Sequence, residues 1–186
     1  MAEKIIKKAK KKWYDINPPS FLSNKPLGKS SASNSEKLVG RTLTTSLFEV
    51  TGDPKTQNVK ITFLVDKVIG DKTSTIVSTY VLAPSYLRRS VKVGKSRIDD
   101  SFLVNTKDKV KVRIKPIAVT RFRCNRSLRS TIRLRLKELL ENKVASLDYI
   151  ELVKSLLLHR LQFELKNEIK KIYPVNVVEV RSMKKL

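Results

Sequence analysis

From Lys109 to Lys115 every second residue is a cation: Lys109, Lys111, Arg113 and Lys115 alternate with Val110, Val112 and Ile114. Side chains on a strand point to opposite faces in turn, so this period of two predicts a strand with an apolar side and a cationic side. Same-face neighbours on a strand lie about 6–7 Å apart. Four cations at that spacing repel one another unless anions sit opposite them. An edge strand guarded by lysine is the alternative reading, but a guard needs one or two charges, not every outward position. The pattern is read as a strand that faces phosphate, the group that dominates nucleic-acid affinity.

The charge of the whole chain supports this reading. Its 186 residues carry 40 Lys and Arg against 17 Asp and Glu, a formal charge of +23. Self-repulsion on that scale opposes compaction and implies a polyanionic partner. The excess is uneven: residues 107–137 hold 12 basic and one acidic side chain, nearly half of the total in 31 residues. Residues 1–37 contribute +6, residues 38–106 +4 and residues 138–186 +2. A merely solubilising charge would be spread more evenly. Five Gly, seven Pro and one Cys exclude collagen-like and disulfide-rich classes. Cys124 has no second cysteine to pair with, which implies a reducing compartment. No apolar run approaches the roughly 18 residues of a membrane span, and no apolar stretch follows the N-terminal lysines as a secretory signal would require. A cytoplasmic protein is expected.

Length and composition predict a basic arm over residues 1–37 and a single globular domain over 38–186. The arm joins a lysine run (Lys4, Lys7, Lys8, Lys10, Lys11, Lys12) to Trp13 and Tyr14. Pro18, Pro19, Pro26 and the Ser-rich stretch 30–35 follow. With so few aliphatic residues it is read as an extended segment that orders on its partner, its rings free to stack or to anchor. Residues 42–50 and 75–82 are β-rich, and Val59, Ile61, Phe63 and Val65 alternate with polar positions as a strand requires. Ile76, Tyr80 and Leu82 are expected on one face. Thr51-Gly52-Asp53-Pro54 and Gly70-Asp71 signal turns. Pro84-Ser85 opens a short helix bearing Leu87, Arg88, Arg89 and Val91.

A longer helix is expected from Asn125 or Ser127, with Leu128, Ile132, Leu136 and Leu139 inward. Arg126, Arg129, Arg133 and Lys137 form a stripe on its other side. Solvated helix faces usually mix charge signs, and this one has no acid before Glu138. Leu134 fits neither stripe. A second helical stretch after Asp148 places Leu147, Ile150, Val153, Leu157, Leu161, Leu165 and Ile169 inward, with a mixed-sign outer face suited to solvent or a protein neighbour. Tyr173-Pro174 ends it, and Val175–Val180 reads as a last strand. Strands and helices are segregated, so the class is α+β.

No catalytic constellation emerges. Gly28-Lys29-Ser30 ends like a phosphate-binding loop, but Ser23 occupies the place of its first glycine. Asp99 and Asp100 would point to opposite strand faces, a poor start for a two-metal nuclease even with Asp53, and an arginine partner is the better use. His159 reads as a packed histidine. Cys124 stands among Arg121, Arg123 and Arg126 without a base beside it. Zinc-finger, RNP and KH patterns are missing too. No cofactor and no metal are expected. The residues alone lead to a basic α+β protein that binds the backbone of folded RNA; a free RNA chaperone or chromatin protein that binds by charge alone is the alternative.

Seven segments, in order, resemble the archaeal and eukaryotic small-subunit ribosomal protein three-a family: Lys11-Lys12-Trp13-Tyr14, Val39-Gly40-Arg41, residues 47–53, residues 86–91, residues 96–99, Arg113-Ile114-Lys115-Pro116 and Lys171-Ile172-Tyr173-Pro174. The resemblance implies a β-barrel-like antiparallel core with packed helices. It also implies a non-enzymatic constituent of the small-subunit platform, near the messenger exit and the 3′ end of the small-subunit rRNA. The partners it implies are that rRNA and neighbouring ribosomal proteins, with messenger RNA and initiation factors as candidates. Carried over by motif, the rRNA contacts are Lys11, Lys12, Trp13, Arg41, Arg88, Arg89, Arg97 and Arg113. Charge geometry adds Lys109, Lys111, Arg129 and Arg133. Eukaryotic members carry a longer C-terminal extension, so an archaeal-type member is expected. Two departures stand out: Val91-Lys92-Val93-Gly94 lacks the usual further arginines, and His159 occupies the place of a helix-breaking glycine, which leaves one helix or two open.

Overall fold

The computed structural model describes residues 10–22, 26–70 and 72–186; Lys4, Lys7, Lys8, Ser23 and Asp71 lie outside them. The chain divides into two compact units. One comprises the described residues up to Gln57 with Ile61–Ser78, the other Asn58–Lys60 with Thr79–Leu186.

In the first unit, β1 (Lys12–Ile16) pairs antiparallel with β2 (Gly28–Ala32), with Tyr14 opposite Ser30. Two strands thus lie inside the stretch expected to be an extended arm. The reason is alternation too short to stand out: Tyr14 and Ile16 turn inward and are buried, while Trp13 turns outward and is 68% exposed. Tyr14, Ala32, Leu38 and Val65 form one apolar cluster. β3 (Thr42–Ser46) runs into a helical turn, α1 (Leu47–Thr51), where a β-rich stretch was expected to continue. Gly52 closes it at φ 75°, a left-handed conformation that glycine adopts without cost. β3 pairs β4 (Val59–Ile69), whose Val59, Ile61, Phe63 and Val65 are buried as the alternation requires. β5 (Lys72–Leu82) pairs β4 and runs parallel to β1, Asp15 opposite Lys72. Its buried residues change phase along the strand. Thr73, Thr75 and Val77 are buried, then Tyr80 and Leu82, which leaves Ile76 off the buried face.

The second unit is built around one strand. After α2 (Pro84–Ser90) come the short β6 (Arg97–Asp99) and β7 (Phe102–Asn105), then β8 (Lys111–Thr120). β8 pairs antiparallel with β6 and β7 along one edge. Along the other edge it pairs with β9 (Val175–Lys185), which in turn pairs with the end of β5. Three helices precede β9: α3 (Arg126–Ser146), α4 (Tyr149–Leu157) and α5 (Arg160–Lys170). Val112 and Ile114 of β8, Val178, Val180 and Met183 of β9, and the inward residues of the helices are buried. In α3 these are Ile132, Leu136, Leu140 and Val144, a strict spacing of four. Leu128 and Leu139 are only half-buried. Lys143 of α3 pairs with Glu164 of α5.

The class is α+β, but the expected barrel-like antiparallel core is corrected. The strands form a large mixed sheet that does not close. The β1–β5 pair is parallel, and β6 and β7 follow one another along the same edge of β8, so the ladder ends there among the described residues.

The helical stretch after Asp148 is two helices. His159 breaks it at φ 56°, taking the left-handed conformation usually given to glycine. The break resets the inward stripe: Tyr149, Leu152, Val153 and Leu156 are buried in α4, and Leu161, Gln162, Leu165 and Ile169 in α5, while Ile150 is exposed.

Candidate nucleic-acid interface

β8 is an interior strand with partners along both edges, so lysine guarding of an edge does not account for its cations. Lys111 and Arg113 are exposed and Lys115 is half-buried. Lys109 does not belong to the row. The strand begins at Lys111, and Lys109 sits at φ 58° in the turn from β7, its amide donating to the Thr106 carbonyl at 2.9 Å. A lysine in the left-handed region gives no turn signal in the sequence, which is why the alternation read two residues too far.

Register decides what stands beside these cations. Arg113 is directly opposite Lys184 of β9, and directly opposed residues of an antiparallel pair share a face. Like charges at such positions destabilise a sheet. Neither side chain has an ion pair among the described residues. Arg97 lies opposite Val119, and Asp99 opposite Ile117, so both project on the same face of β8 as Lys111 and Arg113.

At the β6 edge the cations pass from the sheet to a helix. Arg97, Asp99, Arg126, Arg129, Ser130 and Arg133 line a groove of about 440 Å³. Arg133 reaches Asp100 through two bonds, Nε to Oδ2 at 2.7 Å and Nη2 to Oδ1 at 3.1 Å. That guanidinium, assisted by the Ser101 amide, holds the Asp100 carboxyl below its ordinary range, while Arg133 itself is pushed up. Arg97 pairs with Asp99, whose Oδ2 also lies 3.8 Å from Arg181 of β9. The adjacent acids therefore anchor arginines, as the sequence suggested. Arg126 and Arg129 have no ion pair among the described residues and stay open to an external anion.

The start of α3 is fixed by a buried polar knot. The Ser96 amide donates to Thr120 Oγ1 at 2.9 Å, and that hydroxyl donates to the Phe122 carbonyl at 2.6 Å. The Cys124 amide donates to Ser96 Oγ at 3.1 Å. Cys124 is buried here and serves packing. Asn125 is the N-cap position of α3.

The remaining expected contacts are distributed. Arg88 is exposed and makes no polar contact among the described residues. It belongs to a second groove, which shares Arg97 and also contains Arg181. Arg89 donates to Asn58 Oδ1 at 3.3 Å, beside Lys92 and Lys95, in a third groove of about 430 Å³. In the first unit Lys11, Lys12 and Trp13 are exposed. Arg41 is committed internally, to the Lys37 carbonyl at 3.0 Å, Ser30 Oγ at 2.9 Å and the Ser31 carbonyl at 3.1 Å. The reading of the sequence missed Arg181 and Lys184. β9 runs to Lys185, and a register shift opposite Lys115/Pro116 breaks the alternation that would have revealed them. Among the described residues no group of three or more His, Cys, Asp or Glu could hold a metal ion, and no helix is long and apolar enough to cross a membrane.

The chain is similar to the small ribosomal subunit protein eS1 of Desulfurococcus amylolyticus, 35% identical over 176 residues that cover 95% of this chain and 83% of the relative. The protein of the same name from Haloquadratum walsbyi is 33% identical over 98% of this chain and 87% of its own. That from Archaeoglobus fulgidus is 33% identical over 95% and 84%. The family model described as the Ribosomal S3Ae family matches residues 3–186, and the chain belongs to that family.

Proposed function

We propose that this protein is a structural, non-enzymatic constituent of the small ribosomal subunit in the cytoplasm. In this reading it binds small-subunit rRNA at the platform, near the messenger exit and the 3′ end of that rRNA, beside neighbouring ribosomal proteins. Messenger RNA and initiation factors are further candidate partners. The observation that carries the reading is Arg113 opposite Lys184 on an interior strand, a like-charge pair that an external polyanion would turn from a cost into a contact. The names of the relatives supply the ribosomal context. Lys111, Arg113 and Arg129 form the principal contact set, with Lys11, Lys12, Trp13, Arg88 and Arg89 beside them, while Arg97 and Arg133 line the groove with their charges already partnered by Asp99 and Asp100. Lys109 contributes from the turn, and Arg41 shapes the first unit as much as it meets RNA.

Co-sedimentation of the native protein on a sucrose gradient, before and after a high-salt wash, tests this. Stoichiometric retention on the small subunit after washing is expected. Release to the top of the gradient would favour a free basic chaperone or chromatin protein.

A further inference from the structure

A cavity in the second unit does not match a simple phosphate groove. About 650 Å³ in volume, it lies between α2 and the ends of β5 and β9, and its wall is apolar: Val81, Leu82, Pro84, Leu87 and Val91. Leu82 is buried, and Val81, Leu87 and Val91 are half-buried. Three guanidiniums border this wall, those of Arg88, Arg97 and Arg181. Asp99 holds two of them, Arg97 and Arg181, in place, and Arg88 has no polar partner among the described residues. Three cations against one carboxylate leave the cavity positive. A phosphate backbone has no use for a greasy wall. Pockets that are mostly apolar with a few convergent polar groups bind a flat organic body and orient it.

Two observations select the occupant. Val81 is opposite Ser182, and Ser182 is opposite Lys115, so the cavity opens on the same sheet face as the row of β8 cations. Arg97 also lines the groove of Arg126, Arg129 and Arg133. A polyanion running along these cations would therefore pass the mouth of the cavity. RNA offers both chemistries at once where a nucleotide is splayed out of its helix, because an extruded base can lie on arginine planes and between apolar side chains. We propose that this cavity receives an unstacked base of the bound RNA, while Arg88, Arg97 and Arg181 hold the flanking phosphates. The assignment rests on the RNA-binding reading above.

The test uses the full chain and a transcript of small-subunit rRNA, with binding followed as salt is varied. Leu87→Trp and Val91→Trp each fill the cavity without removing a cation. Both are expected to lower affinity about tenfold at every salt concentration, the scale of one base's stacking, with the slope of affinity against salt unchanged. Two substitutions on different residues guard against one that merely misfolds. Arg129→Ala, in the neighbouring groove, should instead flatten the slope by about one counterion. Unchanged affinity in both tryptophan variants, or a loss that comes with a flatter slope, would overturn the proposal. Variants that bind naked rRNA normally yet fail to enter assembled subunits would assign the cavity to an acidic protein segment. Failure of the unmodified protein to bind rRNA would instead remove the RNA reading on which the proposal stands.

Discussion

Arg113 and Lys184 face each other across the β8–β9 ladder, two cations at directly opposed positions. Replacing one by an acid converts repulsion into attraction within the free protein. Lys184→Glu is therefore expected to stabilise the isolated chain by about 0.5 kcal/mol at low salt. The same change should weaken rRNA binding and flatten its salt dependence. Urea denaturation and salt-dependent binding on one preparation would read both effects. A variant that loses stability as well as affinity would show that the pair is not repulsive.

Asp100 and Arg133 give the opposite case, a charge pair completed within the protein. The Asp100 carboxyl is held below its unfolded value, so its contribution is present above the ordinary carboxylate range and is lost as pH falls through the folded value. Urea midpoints measured from neutral to acid pH should fall less steeply in Asp100→Asn than in the parent chain. Parallel curves would mean that solvent already screens the pair.

His159 carries two separable effects. Its left-handed backbone disfavours any residue with a side chain, so His159→Gly should be more stable than His159→Ala by about 1 kcal/mol. The imidazole lies 3.7 Å from Glu179, and that carboxylate raises its pKa. A raised folded value means the stabilisation is full below the ordinary histidine range and is lost as pH rises through the folded value. The stability gap between the parent chain and His159→Gln should accordingly be wider at pH 5.5 than at pH 8.5, and an equal gap would show that the Glu179 contact contributes nothing.

On α3, Ile132 is fully buried and Leu134 is 67% exposed. Ile132→Ala is expected to cost about 2–5 kcal/mol. Leu134→Ala should stay within about 0.5 kcal/mol of the parent. Thermal or chemical unfolding of the two variants would check the orientation of the helix that presents Arg129 and Arg133.

Much of this was legible where periodicity ran unbroken. The alternation over Val59–Val65 and the inward residues Ile132 and Leu136 lie where their spacing puts them. Legibility failed where the chain turns without the residues that usually announce a turn. Lys109 adopts a left-handed conformation in place of glycine, which shortened β8, and His159 does the same at a helix break that the residues had left undecided. β1 and β2 were hidden for another reason: five-residue strands with only Tyr14, Ile16 and Ala32 buried carry too little pattern to outweigh the prolines and serines around them. In the site, the arginine stripe of α3 was visible, whereas Arg181 and Lys184 became neighbours of Arg97 and Arg113 only through pairing between distant strands, which no local spacing encodes.

The hydroxyl of Thr120 ties the end of β8 to the segment that launches α3. The strand that presents Lys111 and Arg113 and the helix that presents Arg126 and Arg129 are thereby held in one frame, and the separation between their charges is set before any partner arrives. A frame of that kind works as a gauge. An unfolded strand could match it only by giving up its own freedom, whereas a nucleic acid whose phosphates already stand at the matching separation gives up far less. The protein would then report on the shape of its partner, taking the folded form and leaving the loose one.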